Sequence, residues 1–280
     1  MIRLGGHGLP VGPNDPEEFA RAHVDFGYRA AYCPPCEIGD ADRQRAIETA
    51  FAANDVMIAE VGIWRNLITP DATDRRKNID FAGEKLALAD AVGARCAVSY
   101  IGSFEAGTEY APHPKNLSNE AFDATVASAR TIIDTVKPKR ARFALEMMQY
   151  ALPDSVDCYL DLIRAIDRDA FAAHIDPVNL IMTPRVYFDN GRLIRECFEK
   201  LGPHIASCHA KDIILHDRAA LHLDEVIIGQ GVLDYATYLT ELERLGRDVP
   251  LMLEHLEGND YAIARDALKS MAEPLGISFG

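Results

Sequence analysis

The chain has no run of roughly 18 uninterrupted apolar residues, so it offers no candidate for a membrane-spanning helix. Its first residues, Met1-Ile-Arg-Leu-Gly-Gly, lack a basic stretch followed by an apolar one, and no secretory leader is expected. Cysteine is sparse. Six in 280 residues, without the dense spacing of a small disulfide scaffold, read as the reduced thiols of a cytoplasmic protein. The one close pair, Cys33-Pro-Pro-Cys36, stands alone where a structural zinc site usually needs a second pair of ligands. Basic residues are in deficit, 29 Lys and Arg against 43 Asp and Glu, for a net charge of −14. Such a surface repels phosphate backbones and counts against a nucleic-acid binder. No Gly-x-Gly-x-x-Gly follows the first strand-like segment, because Gly5-Gly6-His7-Gly8 lacks that spacing. A doubly wound dinucleotide fold is therefore disfavoured. Linkers, low-complexity tracts and breaks in composition are also missing, so one domain over residues 1–280 is expected.

What is present is alternation. Short β-rich runs occur at 2–7, 28–33, 56–64, 96–101, 142–148, 171–176, 205–211 and 250–255. Helical patterns lie between them. Asp15-Pro16-Glu17-Glu18 is a cap, a first-turn proline and first-turn acids; the pattern over 71–92 stops at Gly93. Further helices are expected from Ser118 to Val136, from Pro153 to Ile166, over 190–201, from Asp234 to near Gly246, and over 260–271. Eight βα repeats in a chain of this length predict an α/β protein, a (β/α)₈ barrel with parallel strands.

Four residues stand at or near the ends of four consecutive strand candidates: Glu146, Asp176, His209 and Glu254. They are separated by 30, 33 and 45 residues, spacings that βα units can supply. In a (β/α)₈ barrel those ends form the active-site face, so the four side chains are expected to converge. Charged groups on buried strands are costly unless paired or metal-bound. Three carboxylates and an imidazole suit one hard-to-borderline divalent cation. Mn²⁺ is the expected ion, with Co²⁺, Mg²⁺ and Zn²⁺ as alternatives.

Other candidates surround these. His7 ends the first strand, Trp64 the third, and His113 lies in the long connection 102–115, where a lid is expected. Arg185 follows the sixth strand, and Lys211 shares the alternating face of His209. Each is a candidate substrate contact. On the third strand Glu60, Gly62 and Trp64 share a face. His174 is expected one layer deeper in the barrel, and His255, of opposite parity to Glu254, against a helix.

The glutamate strand, Ile175-Asp176-Pro177, Cys208-His-Ala-Lys-Asp212, Ile228-Gly229-Gln-Gly231-Val-Leu-Asp234 and Ala59-Glu-Val-Gly-Ile-Trp64 together resemble the xylose-isomerase-like (β/α)₈ superfamily of sugar isomerases and epimerases. The resemblance spans nearly the whole chain. In its ketose 3-epimerases a Glu-Asp-His-Glu set binds one Mn²⁺ or Co²⁺, and the two glutamates exchange a proton with opposite faces of a sugar carbon. Carried over, Glu146 and Glu254 are ligands and the acid/base pair, and Asp176 and His209 are ligands. The partner implied is a small sugar or keto-sugar, and a homo-oligomer is implied as well. Three positions depart from the ketose 3-epimerase pattern: Asn179 replaces a histidine, Leu215 an arginine and Leu152 a glutamate. A free ketohexose is therefore a poor fit, although Asn179 can still hydrogen-bond a sugar hydroxyl. The leading expectation is a metal-dependent isomerase or epimerase acting by proton abstraction beside a carbonyl. The alternatives are a lyase on the same scaffold (a keto-inositol dehydratase or a 3-keto-glycoside-cleaving enzyme), a type-IV apurinic endonuclease, and a non-catalytic binding subunit.

Overall fold

A computed structural model describes residues 1–280. In chain order the strands are β1 (Ile2–Gly5), β2 (Ala30–Tyr32), β3 (Met57–Gly62), β4 (Cys96–Ser99), β5 (Arg142–Glu146), β6 (Phe171–Ile175), β7 (Ile205–Ala210), β8 (Asp212–Leu215), β9 (Leu223–Val226) and β10 (Val249–Leu253). Eight of them form a closed parallel barrel in the order β1-β10-β7-β6-β5-β4-β3-β2. β8 and β9 form a separate antiparallel pair, an excursion between the seventh and eighth barrel strands that the alternation did not predict. No helix is long and apolar enough to cross a membrane.

The helices are α1 (Pro16–Phe26), α2 (Ala41–Ala53), α3 (Ala72–Val92), α4 (Asn119–Val136), α5 (Val156–Ile166), α6 (Pro184–Tyr187), α7 (Asn190–Leu201), α8 (Tyr235–Arg244) and α9 (Asp260–Ala272). Local chemistry sets their ends. The Asp15 carboxylate accepts from the Glu17 and Glu18 amides, Pro16 opens the first turn, and Gly27 closes α1 in the left-handed region at φ 89°. Asp71 and Gly93 do the same for α3. The sequence reading missed α2, because it buries only the narrow stripe Gln44, Ile47, Ala50 and Phe51. The four-residue α6 is too short to show a period.

Most of the core lies between the barrel and the helix ring, with Phe143, Leu145, Ile175, Leu251 and Leu253 pointing outward to it. Inside, small side chains fill the lower barrel: Cys96, Val98, Ala144, Ala172 and Ala206. Above them sits a polar layer of Glu60, His174, Ser207 and His209, all buried. Gly5 permits the tight β1–β2 approach, since a Cβ there would collide with the Ala30 carbonyl. Asp212 organises the crossover from β7 to α8. Its carboxylate accepts from the amides of Ile213 (2.9 Å), Gly229 (3.0 Å), Gly231 (3.0 Å) and Leu233 (3.0 Å).

Candidate active site and metal centre

Glu146 is the last residue of β5, Asp176 follows β6, His209 lies near the end of β7, and Glu254 follows β10. The barrel register brings all four to one mouth, where their donor atoms lie within 4.8 Å of one another. His209 Nδ1 is the hub. It is 2.9 Å from Glu146 Oε1, 3.0 Å from Glu254 Oε1 and 3.9 Å from Asp176 Oδ2.

The other imidazole nitrogen faces down the barrel. His209 Nε2 is 3.3 Å from Glu60 Oε2, and His174 Nε2 is 3.0 Å from Glu60 Oε1. The Ser207 hydroxyl also donates to Glu60. His174 is fully buried, as its parity predicts. A carboxylate behind a candidate ligating imidazole fixes its tautomer and ring orientation and raises its basicity. Sequence reasoning placed Glu60 on one face with Gly62 and Trp64 without giving it a role. The signal was present, because a carboxylate flanked by Ala59 and Val61 on a buried strand needs a buried donor.

Lys211 completes the cluster. Its ammonium lies 2.8 Å from Asp176 Oδ2 and 2.5 Å from Glu254 Oε1, with Glu225 at 3.6 Å. Burial would raise the Glu254 pKa, but the charges of His209 and Lys211 outweigh it and hold it at about 2. Glu146 moves the other way: burial dominates, Glu254 adds repulsion, and the carboxyl is pushed up. Burial disfavours a charged His209, yet Glu254, Glu60 and Glu146 together raise it well above an ordinary histidine.

The donor set fits a divalent cation. Asp176 Oδ2 and Glu254 Oε1 are buried and accept no well-aligned hydrogen bond. Such oxygens are costly unless a cation compensates them, a role the Lys211 ammonium fills here at 2.8 and 2.5 Å. Three carboxylates and one imidazole within one small sphere match an oxygen-preferring ion such as Mn²⁺ or Mg²⁺.

Above the cluster opens a cavity of about 730 Å³. His7, Trp64, Asn179 and Lys211 line it. His7 stacks on Tyr32 with ring centroids 4.4 Å apart. Asn179 is committed inward: its amide donates to Glu146 Oε1 (3.2 Å) and to the Met147 carbonyl (2.9 Å). It braces Glu146 first and offers a sugar little free capacity.

Two expected substrate contacts, His113 and Arg185, are absent from this cavity's wall. His113 instead caps the short helical turn Pro114–Leu117, and Arg185 is exposed on α6. The connection after β4 is pinned in place. Asn66 donates to the Ser103 (2.8 Å) and Thr108 (2.9 Å) carbonyls, and Asn116 to those of Ala111 (2.9 Å) and Tyr150 (3.0 Å). His255 corrects the parity argument. It lines the cavity and meets Glu225 at 2.8 Å, because its φ of 54° ends strand alternation at that residue. Tyr100, Tyr110, Gln149 and Tyr261 also reach the cavity from loops or a helix start, and Glu225 from β9, positions the sequence alone does not fix.

A family model described as xylose isomerase-like TIM barrel matches residues 3–273. No curated protein matches the chain. Among solved structures, 3-keto-D-glucoside 4-epimerase from E. coli superposes with a TM-score of 0.70 at 12% identity, covering 98% of this chain and 100% of that one. A probable 3-DHS dehydratase from Bacillus anthracis gives 0.70 at 17% identity, covering 99% of each chain. A Mycobacterium smegmatis barrel protein in complex with magnesium gives 0.66 at 16% identity, covering 98% and 96%. Identities this low establish shared fold and nothing finer. With the model match spanning almost the entire length, the chain belongs to the xylose isomerase-like TIM barrel family.

Proposed function

We propose that the protein is a divalent-metal-dependent isomerase or epimerase of a ketose or keto-sugar derivative, with Glu146 and Glu254 as the acid/base pair. One observation carries the reading: two glutamates approach the same His209 nitrogen from different strands, at 2.9 and 3.0 Å, on the floor of a sugar-sized cavity. Glu146, Asp176, His209 and Glu254 would hold the cation, which when bound supplies Lewis-acid stabilisation of an enolate. One glutamate removes the proton beside the carbonyl, and the other returns it to the opposite face or to the neighbouring carbon. Asn179 orients Glu146 throughout. Lys211 places a fixed positive charge beside Glu254, where a substrate carboxylate or developing oxyanion is stabilised. Trp64, Tyr100 and Tyr110 offer apolar faces for a sugar ring.

A lyase is the second reading. Leu152 and Leu215 leave the cavity without the extra acid and arginine expected for free ketoses, and one solved structure of the same fold is named a dehydratase. Both reactions begin with the same proton abstraction.

The test incubates keto-sugars and 3-keto-glycosides with the Mn²⁺-loaded protein in D₂O. Deuterium appearing beside the carbonyl of a product otherwise unchanged in mass supports the isomerase or epimerase. Loss of water or of an aglycone selects the lyase. Turnover of a substrate without exchange or elimination sinks both.

A further inference from the structure

The end of the barrel opposite the metal cluster carries a second cavity, of about 400 Å³. It opens where β4, β5, β6, β7 and β10 begin. Arg95, Arg140, Arg142 and Arg247 line it with His204, and Asp169 is the single carboxylate in its wall. This concentration of cations stands out in a chain of net charge −14. The strand register explains it. Cys96 pairs with Arg142 across β4 and β5, and the Arg142 amide donates to the Arg95 carbonyl at 3.1 Å. Arg247 leads into β10 and donates to the carbonyls of Gly202 (3.0 Å) and Ile205 (2.8 Å) at the start of β7. Gly93, Ala94, Ala172 and Ala206 leave the space between them open.

The four arginines are not equally occupied. Arg140 is committed to the Asp90 and Ala91 carbonyls and to Glu48. Arg142 donates to the Asp169 carbonyl. Arg247 uses one amino group and keeps its other donors free. Half-buried Arg95 makes no side-chain hydrogen bond or ion pair. Arg3, by contrast, starts a strand at the same end of the barrel and is neutralised by Asp55 and Asp248, each at 2.8 Å. Burial, and then the charge of Arg95, make the Arg247 guanidinium harder to keep protonated. Two guanidinium groups therefore share a concave, polar space, and neither is paired with a carboxylate.

We propose that this cavity is a binding site for a small phosphate-class anion, with Arg95 and Arg247 as its principal donors and Arg142 at its rim. A guanidinium presents a planar fork that matches two phosphate oxygens. Convergent forks in a recess bind a compact, multiply charged anion better than a monovalent one. The site is separate from the proposed catalytic centre, which lies beyond the polar layer of Glu60 and His174.

The probe is inorganic pyrophosphate, titrated calorimetrically into the EDTA-treated full-length protein in low-chloride buffer. Removing metal prevents pyrophosphate from reporting on the Glu146 cluster. We expect saturable binding that weakens about tenfold or more in Arg95→Gln, weakens with added salt, and is unchanged in Glu146→Gln. Arg95→Gln carries the test because the Arg95 side chain makes no hydrogen bond or ion pair within the chain, so this variant is expected to fold. Arg247→Gln is read only where its circular dichroism matches the wild type. Absence of binding overturns the proposal. So does equal affinity in Arg95→Gln, or citrate and chloride competing as well as orthophosphate.

Discussion

The His209 imidazole lies between carboxylates of two barrel layers, with Nε2 3.3 Å from Glu60 and Nδ1 2.9 Å from Glu146. Glu60 lies at the base of the cavity and bonds to His209 rather than to the three carboxylates above it. It acts through His209, and also through His174. Glu60→Gln keeps the volume but loses the charge that aligns both rings. The expected outcome is a roughly 10- to 100-fold loss of Mn²⁺ affinity, with kcat largely recovered at saturating metal. Direct titration of the apo protein checks the first part, and kcat against metal concentration checks the second.

Asp176 is fully buried, with one oxygen that accepts no aligned hydrogen bond. The purified protein is expected to carry about one divalent ion per chain, and Asp176→Ala to carry none. Adding Mn²⁺ at about 100 times its Kd should stabilise the EDTA-treated wild type by about 2.7 kcal/mol and leave the variant unmoved. Elemental analysis and thermal melts read the two effects.

Glu146→Gln and Glu254→Gln each remove one acid/base group and leave the cavity's shape. Either change should lower kcat by about 10²- to 10⁴-fold. Solvent-deuterium exchange separates their roles. The variant that still exchanges the substrate proton but forms no product has lost the group that acts second.

His23 is buried on α1, where its Nδ1–H donates to the Phe19 carbonyl at 2.8 Å. Burial pushes its pKa down to about 4. The unfolded chain, with an ordinary histidine near 6.5, takes up the proton first. This contribution is intact above about pH 6.5 and is lost as pH falls toward 4, by on the order of 3 kcal/mol in all. Urea midpoints measured across that window should fall more steeply for the wild type than for His23→Gln.

Asp212 accepts four backbone amides, and a Cβ on Gly231 would collide with its carboxylate. Asp212→Asn turns one acceptor into a donor facing two N–H groups. The expected cost is about 2–4 kcal/mol, read from a denaturant titration, with metal content retained. Loss of metal together with stability would show that the loop and the cluster are one cooperative unit.

The sequence by itself determined the barrel and the identity of the metal-ligand candidates. Alternation of β-rich and helical runs is a local property, and caps such as Asp15 and Asp71 act within one helical turn. Strand parity also works while the backbone stays extended, which is why the depth of His174 was legible. Tertiary structure decided what parity and spacing cannot reach. Trp64 and His255 sit at positive φ, where alternation ends, and only the folded backbone fixes where they point. Glu60 meets His209 across 149 residues, and Asn179 reaches back to Glu146 instead of out to solvent. His113 and Arg185 had the right chemistry, but their own local turns hold them elsewhere. The arginine-lined cavity was invisible for the same reason. Its residues come from different strand starts, spread along the chain from Arg95 to Arg247, and only barrel closure brings them around one space.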